Sequence, residues 1–385
     1  MSQNEAVFRD APVRKAVVQM AVPTVISSLV LVVYNMADTF FVGQTHDAYQ
    51  VAAVSLTNPV FVMYMAIANM LGIGGSALIS ILLGQDRKEE AKSASSFCCW
   101  ASLLFGVLAA VLILVFMDPL FILVFDMGTA GAAIATVLGN VCGCFYYLYY
   151  FAKKSRMLSI HPGALRSAPS ACARVLSLGI PAGINSGLMS VATVLLNNAL
   201  VSYGDKPLAA MGIVTKAYML IAFIHMGIAN GIQPLLGYCY GAGLRKRFTG
   251  VLKFSAVLTV VCGTVLSAAY IFGSQSVVAL FIDDAEVISY GSDMLIATSL
   301  AGPILGLLFL SINSMQALDR PLPTTLLSVC RQGLFFIPLL YILDALFGID
   351  GINFTQAAAD YLSIVISLLL LRHSLRALPP EGSPS

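Results

Sequence analysis

An acidic residue lies inside an apolar run near the start of the chain, in the stretch YNMADTFFVG at 34–43. A charge at the centre of a bilayer costs about 2.5–3.5 kcal/mol on insertion scales, so Asp38 needs a reason to be there. Tyr34 and Asn35 precede it by one helical turn and share its helix face. A carboxylate in a low-dielectric cavity can hold a proton and release it when the cavity hydrates. The stretch therefore predicts an ion-coupling group; the alternative is an acid held by hydrogen bonds or water near the outer interface.

Two cations and a second acid also fall inside apolar runs. Lys216, in GIVTKAYMLIAF, lies near the outer end of its run and could extend its amine to the interface. Alternatively, it faces a cleft and pairs with an acid, for which Asp360 is a candidate. Arg331, in LLSVCRQGLFF, is too deep to reach either interface easily. It is either a structural partner for Asp360 or for freed backbone carbonyls, or a contact for substrate.

Uncharged polar residues occur in other apolar runs, namely Asn197, Asn198 and Gln233 with Pro234. Hydrogen bonds between helices explain such residues, and carbonyls that a proline frees can line a cavity. His225 is expected to be a packed, neutral imidazole. We assign to a predicted substrate cleft the residues Tyr34, Asn198, Lys216, Gln233, Arg331 and Asp360.

The composition excludes a soluble globular protein. Of 385 residues, 58% are hydrophobic and 10% are charged, whereas a soluble domain has about 25% charged residues. The eight cysteines show no metal-ligand spacing and are expected to be small buried hydrophobes. No phosphate-binding loop or H-E-x-x-H motif occurs, so nothing indicates an enzyme, a cofactor or a nucleic-acid partner. Energy is expected to come from an ion gradient or a partner.

Long apolar runs separated by polar breaks predict an all-α polytopic membrane protein. The ten predicted spans lie at 16–43, 49–83, 93–125, 130–151, 172–203, 207–241, 250–282, 286–316, 322–347 and 351–371. Lysine and arginine concentrate in alternate loops, and the remaining loops together hold only Lys206. The positive-inside rule therefore predicts that both termini are cytoplasmic.

The two halves repeat in the same direction. AAVSLTNPVFVMYMAIANMLGIGG from Ala52 aligns without a gap on AAMGIVTKAYMLIAFIHMGIANGI from Ala209, and MGTAGAAIAT later aligns on FGIDGINFTQ. Such a repeat predicts two helical bundles related by a pseudo-two-fold axis along the membrane normal. The predicted organisation is a first bundle at 1–151, a cytoplasmic linker at 152–171 and a second bundle at 172–385.

The first half is shorter than the second. Ala209 and Gly351 are 142 positions apart, whereas their counterparts Ala52 and Gly131 are 79 apart, a shortfall of 63 near Phe116 and Met117. The run at 93–125 would be about 50 Å long as a helix, too long for one ordinary span and too short for two. We interpret it as the start of a third span fused to the end of a fifth, with the fourth absent.

The motifs NMADTFFVGQ, MDPLFILVFDMGTAGAAIATVLGN, GIQPLLGYCYGAG and AAAD occur in that order. With them, the chain resembles a bacterial multidrug and toxic compound extrusion (MATE) transporter over nearly its whole length. The resemblance implies two six-helix lobes, twelve spans against about ten here, and export of cationic or amphiphilic compounds in exchange for protons or sodium ions. It also implies a bacterial inner (plasma) membrane location.

The resemblance implies roles for particular residues. Asp38 matches the ion-coupling aspartate of the first span, and Asn35 lies beside it. Asp118 resembles the second acid of a first-lobe ion site, with Thr136 and Asn140 nearby, so a sodium ion at Asp38 and Asp118 is one possibility. The family usually has an asparagine four positions before that acid, where this chain has Leu114. Asp118 could instead be a turn residue at the junction.

We therefore predict a monomeric cation-coupled antiporter that exports amphiphilic or cationic drugs by alternating access, with a proton or sodium ion as the coupling ion. Its partners are the lipid bilayer and small substrates. Two alternatives remain. The chain could be a lipid-linked precursor flippase of the same fold, which several arginines in the cleft would favour, or an inactive deletion product.

Overall fold

The structure, a computed structural model, describes the backbone of residues 8–43, 48–116 and 169–376. Side chains are described at 8–33, 64–106 and 170–376. Throughout these ranges the regular structure is helical, with no strands. The predicted all-α membrane fold of two helical bundles is confirmed.

Three helices form the described part of the first bundle, and they follow the predicted spans. They are α1 (Val13–Gly43), α2 (Ala48–Gly84) and α3 (Lys88–Phe116). The described part of α3 ends at the residue where the repeat places the shortfall. The rest of the predicted run at 93–125, the predicted span at 130–151 and most of the linker lie outside the described residues.

The second bundle is described as far as Arg376, and nine helices make it up. They are α4 (Pro169–Val201), α5 (Asp205–Gly241), α6 (Arg245–Phe272), α7 (Ser274–Ala279), α8 (Ala285–Ser299), α9 (Gly302–Ala317), α10 (Pro321–Val329), α11 (Ile337–Phe347) and α12 (Ile349–Arg376). A π-helical segment, Cys330–Phe336, joins α10 to α11. Within the described residues, seven helices are long and apolar enough to span a membrane, and α8 with α9 makes an eighth.

Two predicted spans are less regular than the sequence suggested, and proline explains both departures. The span at 286–316 is bent by 48° between α8 and α9, where Pro303 lies at the start of α9. Pro338 follows the π-helical segment near the start of α11. A proline within a helix removes one backbone hydrogen bond and crowds the carbonyl four residues earlier, so the chain bends or widens just before it.

The described cysteines only partly match the expectation that they are buried. Cys239 and Cys330 are buried, whereas Cys98, Cys99, Cys172 and Cys262 are half-buried, and all six are free thiols. The half-buried positions need no special account, because cysteine is only weakly polar and is compatible with a lipid-facing helix surface.

Asp284 caps the start of α8 at the end of the bundles opposite the basic loops. Its carboxylate accepts hydrogen bonds from the backbone N–H groups of Glu286, at 2.9 Å, and Val287, at 3.2 Å. These bonds, together with the nearby Lys206 ammonium, hold the pKa of the Asp284 carboxyl below its ordinary value. The stabilisation is therefore present above pH 3.8 and is lost as the pH falls through the lowered pKa.

We expect Asp284→Ala to lower the melting temperature of the purified protein at neutral pH, because alanine cannot cap a helix. Asp284→Asn should retain most of the stability, since asparagine caps about as well as aspartate. The difference between wild type and Asp284→Ala should disappear in strong acid. If both variants lose stability equally at neutral pH, the ion pair with Lys206, and not the cap, is responsible.

Candidate functional site: a glycine-lined seam and a buried ion pair

The first two helices of each bundle cross reciprocally, α1 against α5 and α2 against α4. At each crossing a glycine allows close backbone approach. A Cβ atom added to Gly74 on α2 would lie 2.7 Å from the backbone nitrogen of Gly179 on α4. A Cβ atom added to Gly231 on α5 would lie 2.8 Å from the carbonyl oxygen of Met20 on α1. Gly74 and Gly231 are equivalent positions in the sequence repeat, so the two crossings use the same glycine twice.

A second equivalent pair, Gly84 and Gly241, joins α2 to α5 directly. A Cβ atom at Gly84 would lie 2.9 Å from the nitrogen of Ala242, and one at Gly241 would lie 3.1 Å from the nitrogen of Gln85. We call Gly74, Gly84, Gly231 and Gly241 the glycine seam. Small residues at helix contacts let backbones approach closely within membranes, so the seam closes the two bundles against each other.

The seam lies at the end of the bundles that carries the basic loops, which we call the basic end. Here α1 and α4 begin, and α2 and α5 end. The start of the chain is fastened to the same end. The Nε of Arg247 donates a hydrogen bond to the carbonyl oxygen of Phe8 at 2.8 Å, and the rings of Phe8 and Tyr238 lie 5.3 Å apart.

Away from the basic end, the face of α4 that forms its crossing becomes exposed. On α4, Gly179 is buried, Ser186 is half-buried and Asn197 is exposed. Asn197 lies 18 residues after Gly179, about five helical turns, so it shares the same face. On α1 the pattern is mixed, because Leu31 is 37% exposed whereas the neighbouring Val32, on the same side as the buried Ala21, is 2% exposed. The α4 face therefore becomes exposed away from the seam, as one wall of a cleft would.

The side chains of all the predicted ion-coupling residues, and of the predicted cleft residue Tyr34, lie outside the described residues. Tyr34, Asn35 and Asp38 belong to α1, but their side chains are outside the described residues. Asp118, Thr136 and Asn140 lie wholly outside them. Their proposed roles therefore remain predictions.

The two charges predicted deep in the second bundle form an ion pair. The Nε of Arg331 donates to the Oδ1 of Asp360 at 2.8 Å, and their side chains are 8% and 1% exposed. The Nε2 of Gln356, one turn earlier on α12, donates to the same oxygen at 3.0 Å. The guanidinium also stacks over the ring of Phe309, with its central carbon 5.4 Å from the ring centroid. Arg331 is therefore the partner of Asp360, as one reading of the sequence proposed.

Lys216 does not pair with Asp360. It is half-buried on α5 and has no hydrogen-bond or ion-pair partner among the described residues. The sequence left Lys216 and Arg331 as competing partners because it gives no distance between spans.

Gln233 is buried inside the second bundle and does not line the cleft. Its side-chain amide donates to the Oε1 of Gln316 at 3.0 Å, and the Gln316 amide donates to the carbonyl oxygen of Leu178 at 3.2 Å. This chain of bonds links α5, α9 and α4, as expected for polar residues that join helices. Gln316 was not singled out from the sequence, although its place in a predicted apolar span was a signal for such a role.

The remaining predicted positions are an asparagine and a histidine. Asn198 is exposed, but it lies about a quarter-turn from the face that carries Gly179 and Asn197. Its role in the cleft remains a prediction, and Asn197 is the better placed of the two.

His225 is fully buried, with Nδ1 2.7 Å from the carbonyl oxygen of Ile221 and Nε2 3.1 Å from that of Thr259. It packs between α5, α6 and α9. Within the described residues, no cluster of three or more histidine, cysteine or acidic residues suits a metal ion.

Comparison with known proteins agrees with this arrangement. The MatE family profile matches residues 23–154 and 181–342. The chain is 26% identical to the multidrug export protein MepA of Staphylococcus aureus (strain NCTC 8325 / PS 47), over 94% of each protein. It is 25% identical to MepA of Staphylococcus saprophyticus, again over 94% of each. The alignment with the first is 431 positions long, more than the 385 residues of this chain, which is compatible with an internal shortfall.

The fold is similar to a solved structure described as the outward-facing conformation of a multidrug resistance MATE family transporter of the MOP superfamily. The TM-score is 0.90 at 18% identity, covering 98% of this chain and 99% of the other. The family and its relatives are transporters, so the chain is a membrane transport protein and not an enzyme. The chain belongs to the MatE family, the multidrug and toxic compound extrusion transporters.

Proposed function

We propose that this protein exports amphiphilic or cationic compounds across a bacterial inner membrane, in exchange for protons or sodium ions, by alternating access. The observation that carries the proposal is the geometry of the two bundles, which are closed against each other by the glycine seam at the basic end, while the α4 face that packs there is exposed farther along. Alternating access needs a closure that can form at one end while the other end is open.

The side of the membrane toward which the cleft opens follows from the distribution of charge. The seam lies at the basic end, and the positive-inside rule places basic loops in the cytoplasm. The cleft therefore opens outward in this conformation, and both termini are cytoplasmic. The similarity to an outward-facing structure supports this orientation, and the relatives named multidrug export proteins support the substrate class.

Asp38 is the proposed coupling group. It lies on α1, 18 residues after Met20, which is about five turns, and so it shares the helix face that packs against Gly231 at the seam. An ion that binds Asp38 from outside favours outward release of the drug, and discharge of that ion inward resets the cleft. Asp118, Thr136 and Asn140 are the proposed further ligands.

The test is Asp38→Asn, assayed by ethidium and norfloxacin efflux in a host that lacks its own pumps. One charge moving through 100 mV supplies about 2.3 kcal/mol, so loss of coupling should reduce the steady-state drug gradient by up to about 40-fold. Asp350→Asn is the matched control, because Asp350 is an exposed acid at the start of α12. Equal efflux by both variants, at equal expression, would exclude Asp38 as the coupling group.

A further inference from the structure

Arg331 uses only part of its hydrogen-bonding capacity on Asp360. The contact is made through Nε alone, which leaves the edge formed by Nη1 and Nη2. Among the residues that the structure describes, neither nitrogen has a hydrogen-bond acceptor. Both nitrogens are partly accessible, because neither is among the fully buried polar atoms that lack a partner. The accessible part of the Arg331 side chain, 8% of its surface, is therefore at this free edge.

The rest of the guanidinium is held rigidly. Asp360, which Gln356 holds in turn, fixes the Nε side of it, and the ring of Phe309 supports one face, so the side chain lies between α12 and α9. An arginine fixed in this way loses little freedom when it binds a second partner. Its free edge presents parallel N–H groups, an arrangement that matches the two oxygens of a carboxylate.

A second donor lies in the same environment. The hydroxyl of Tyr218 on α5 is buried and has no hydrogen-bond partner among the described residues, and it lies close enough to Arg331 and Asp360 to interact electrostatically with both. Because Asp360 already balances the charge of Arg331, a simple anion would leave a net negative charge in the bundle. A molecule that carries both an acid and an amine avoids that cost.

We propose that the free edge of Arg331 binds the carboxylate of amphoteric substrates, meaning compounds with one acidic and one basic group. This inference rests on the proposed function and specifies a substrate class for it. Purely cationic substrates do not use the site.

The experiment measures equilibrium binding of norfloxacin and of its methyl ester, which lacks the carboxylate, to the purified protein. Charge-assisted hydrogen bonds should make wild type bind the acid at least about tenfold more tightly than the ester. In the double variant R331Q/D360N, which removes both charges together and leaves no unpaired ion, the ratio should fall to about one. The matched control is R174Q/D319N, which removes a different ion pair, joining α4 to the loop after α9, and should preserve the wild-type ratio.

Three outcomes would overturn the site: equal binding of acid and ester by wild type, an unchanged ratio in R331Q/D360N, or equal loss of both compounds in a folded R331Q/D360N. Ethidium efflux separates this proposal from the proposed function. If R331Q/D360N still exports ethidium but loses only norfloxacin export, both proposals stand. If wild type binds norfloxacin through Arg331 but exports neither compound, the site stands and the exporter function fails.

Discussion

Replacing Gly231 with alanine should open the basic end of the protein. The added methyl group would touch the hydroxyl of Thr24, which can rotate away, and would lie 2.8 Å from the carbonyl oxygen of Met20. This backbone contact is relieved only if α1 and α5 separate. Overpacking of this kind typically costs about 1–3 kcal/mol. If that cost falls on the closed seam alone, the population with an open seam rises about 5- to 150-fold.

The rise can be measured with the substitution Ser80→Cys in a chain whose native cysteines have been replaced. The rate at which a maleimide labels this cysteine reports how often the seam is open. Ser80 is 6% exposed and faces Gly237 across the seam. Gly212→Ala is the control on the same helix, because nothing lies within 4 Å of a Cβ atom there. The repeat supplies an independent version of the same experiment on α2. There Gly74→Ala is the test variant, and Gly72→Ala is the control, because nothing lies within 4 Å of a Cβ atom at Gly72. Equal labelling of test and control variants in both experiments would show that the seam is not where the bundles part.

Removal of a single partner from the Arg331–Asp360 pair should be among the most destabilising substitutions in the chain. Asp360→Ala leaves the guanidinium in a buried site without its counter-charge, and breaking a buried pair in this way costs about 3–5 kcal/mol. The double variant R331M/D360L replaces both charges by apolar groups of similar size. It should be near wild type in stability, because both desolvation costs disappear with the charges.

Thermal unfolding in detergent measures this difference. The control is Arg174→Ala, because Arg174 and Asp319 also form an ion pair but are 33% and 31% exposed. Exposed pairs contribute at most about 1 kcal/mol, so the control should change the melting temperature little. If the melting temperature falls as much in Arg174→Ala as in Asp360→Ala, burial of the Arg331–Asp360 pair is not the reason for the loss of stability.

The main features of the architecture could be predicted from the sequence because they depend on local patterns. Apolar run length located the described spans, and α1, α2, α4 and α5 begin and end within a few residues of the prediction. The gap-free repeat also contained the seam, since Gly74 aligns with Gly231 and Gly84 with Gly241. What the pattern lacked was the partner of each glycine, which depends on how the two bundles pack.

The irregular helices were missed for a different reason. Hydrophobicity continues through Pro303 and Pro338, so each predicted span seemed continuous, whereas the backbone bends or widens before each proline. At the site, the buried charges were recognisable from their cost in lipid, but the choice between Lys216 and Arg331 as the partner of Asp360 required distances. The free edge of Arg331 depends on which of its nitrogens Asp360 occupies, and no sequence pattern contains that information.

The close crossings between the bundles belong to α1, α2, α4 and α5, and the repeat places the sequence shortfall near Phe116 and Met117, outside these four helices. The contact surfaces of these crossings are therefore present in the described part of this chain. If the shortfall is an absent span, as the sequence predicts, the loss falls outside the helices that hold the two bundles together.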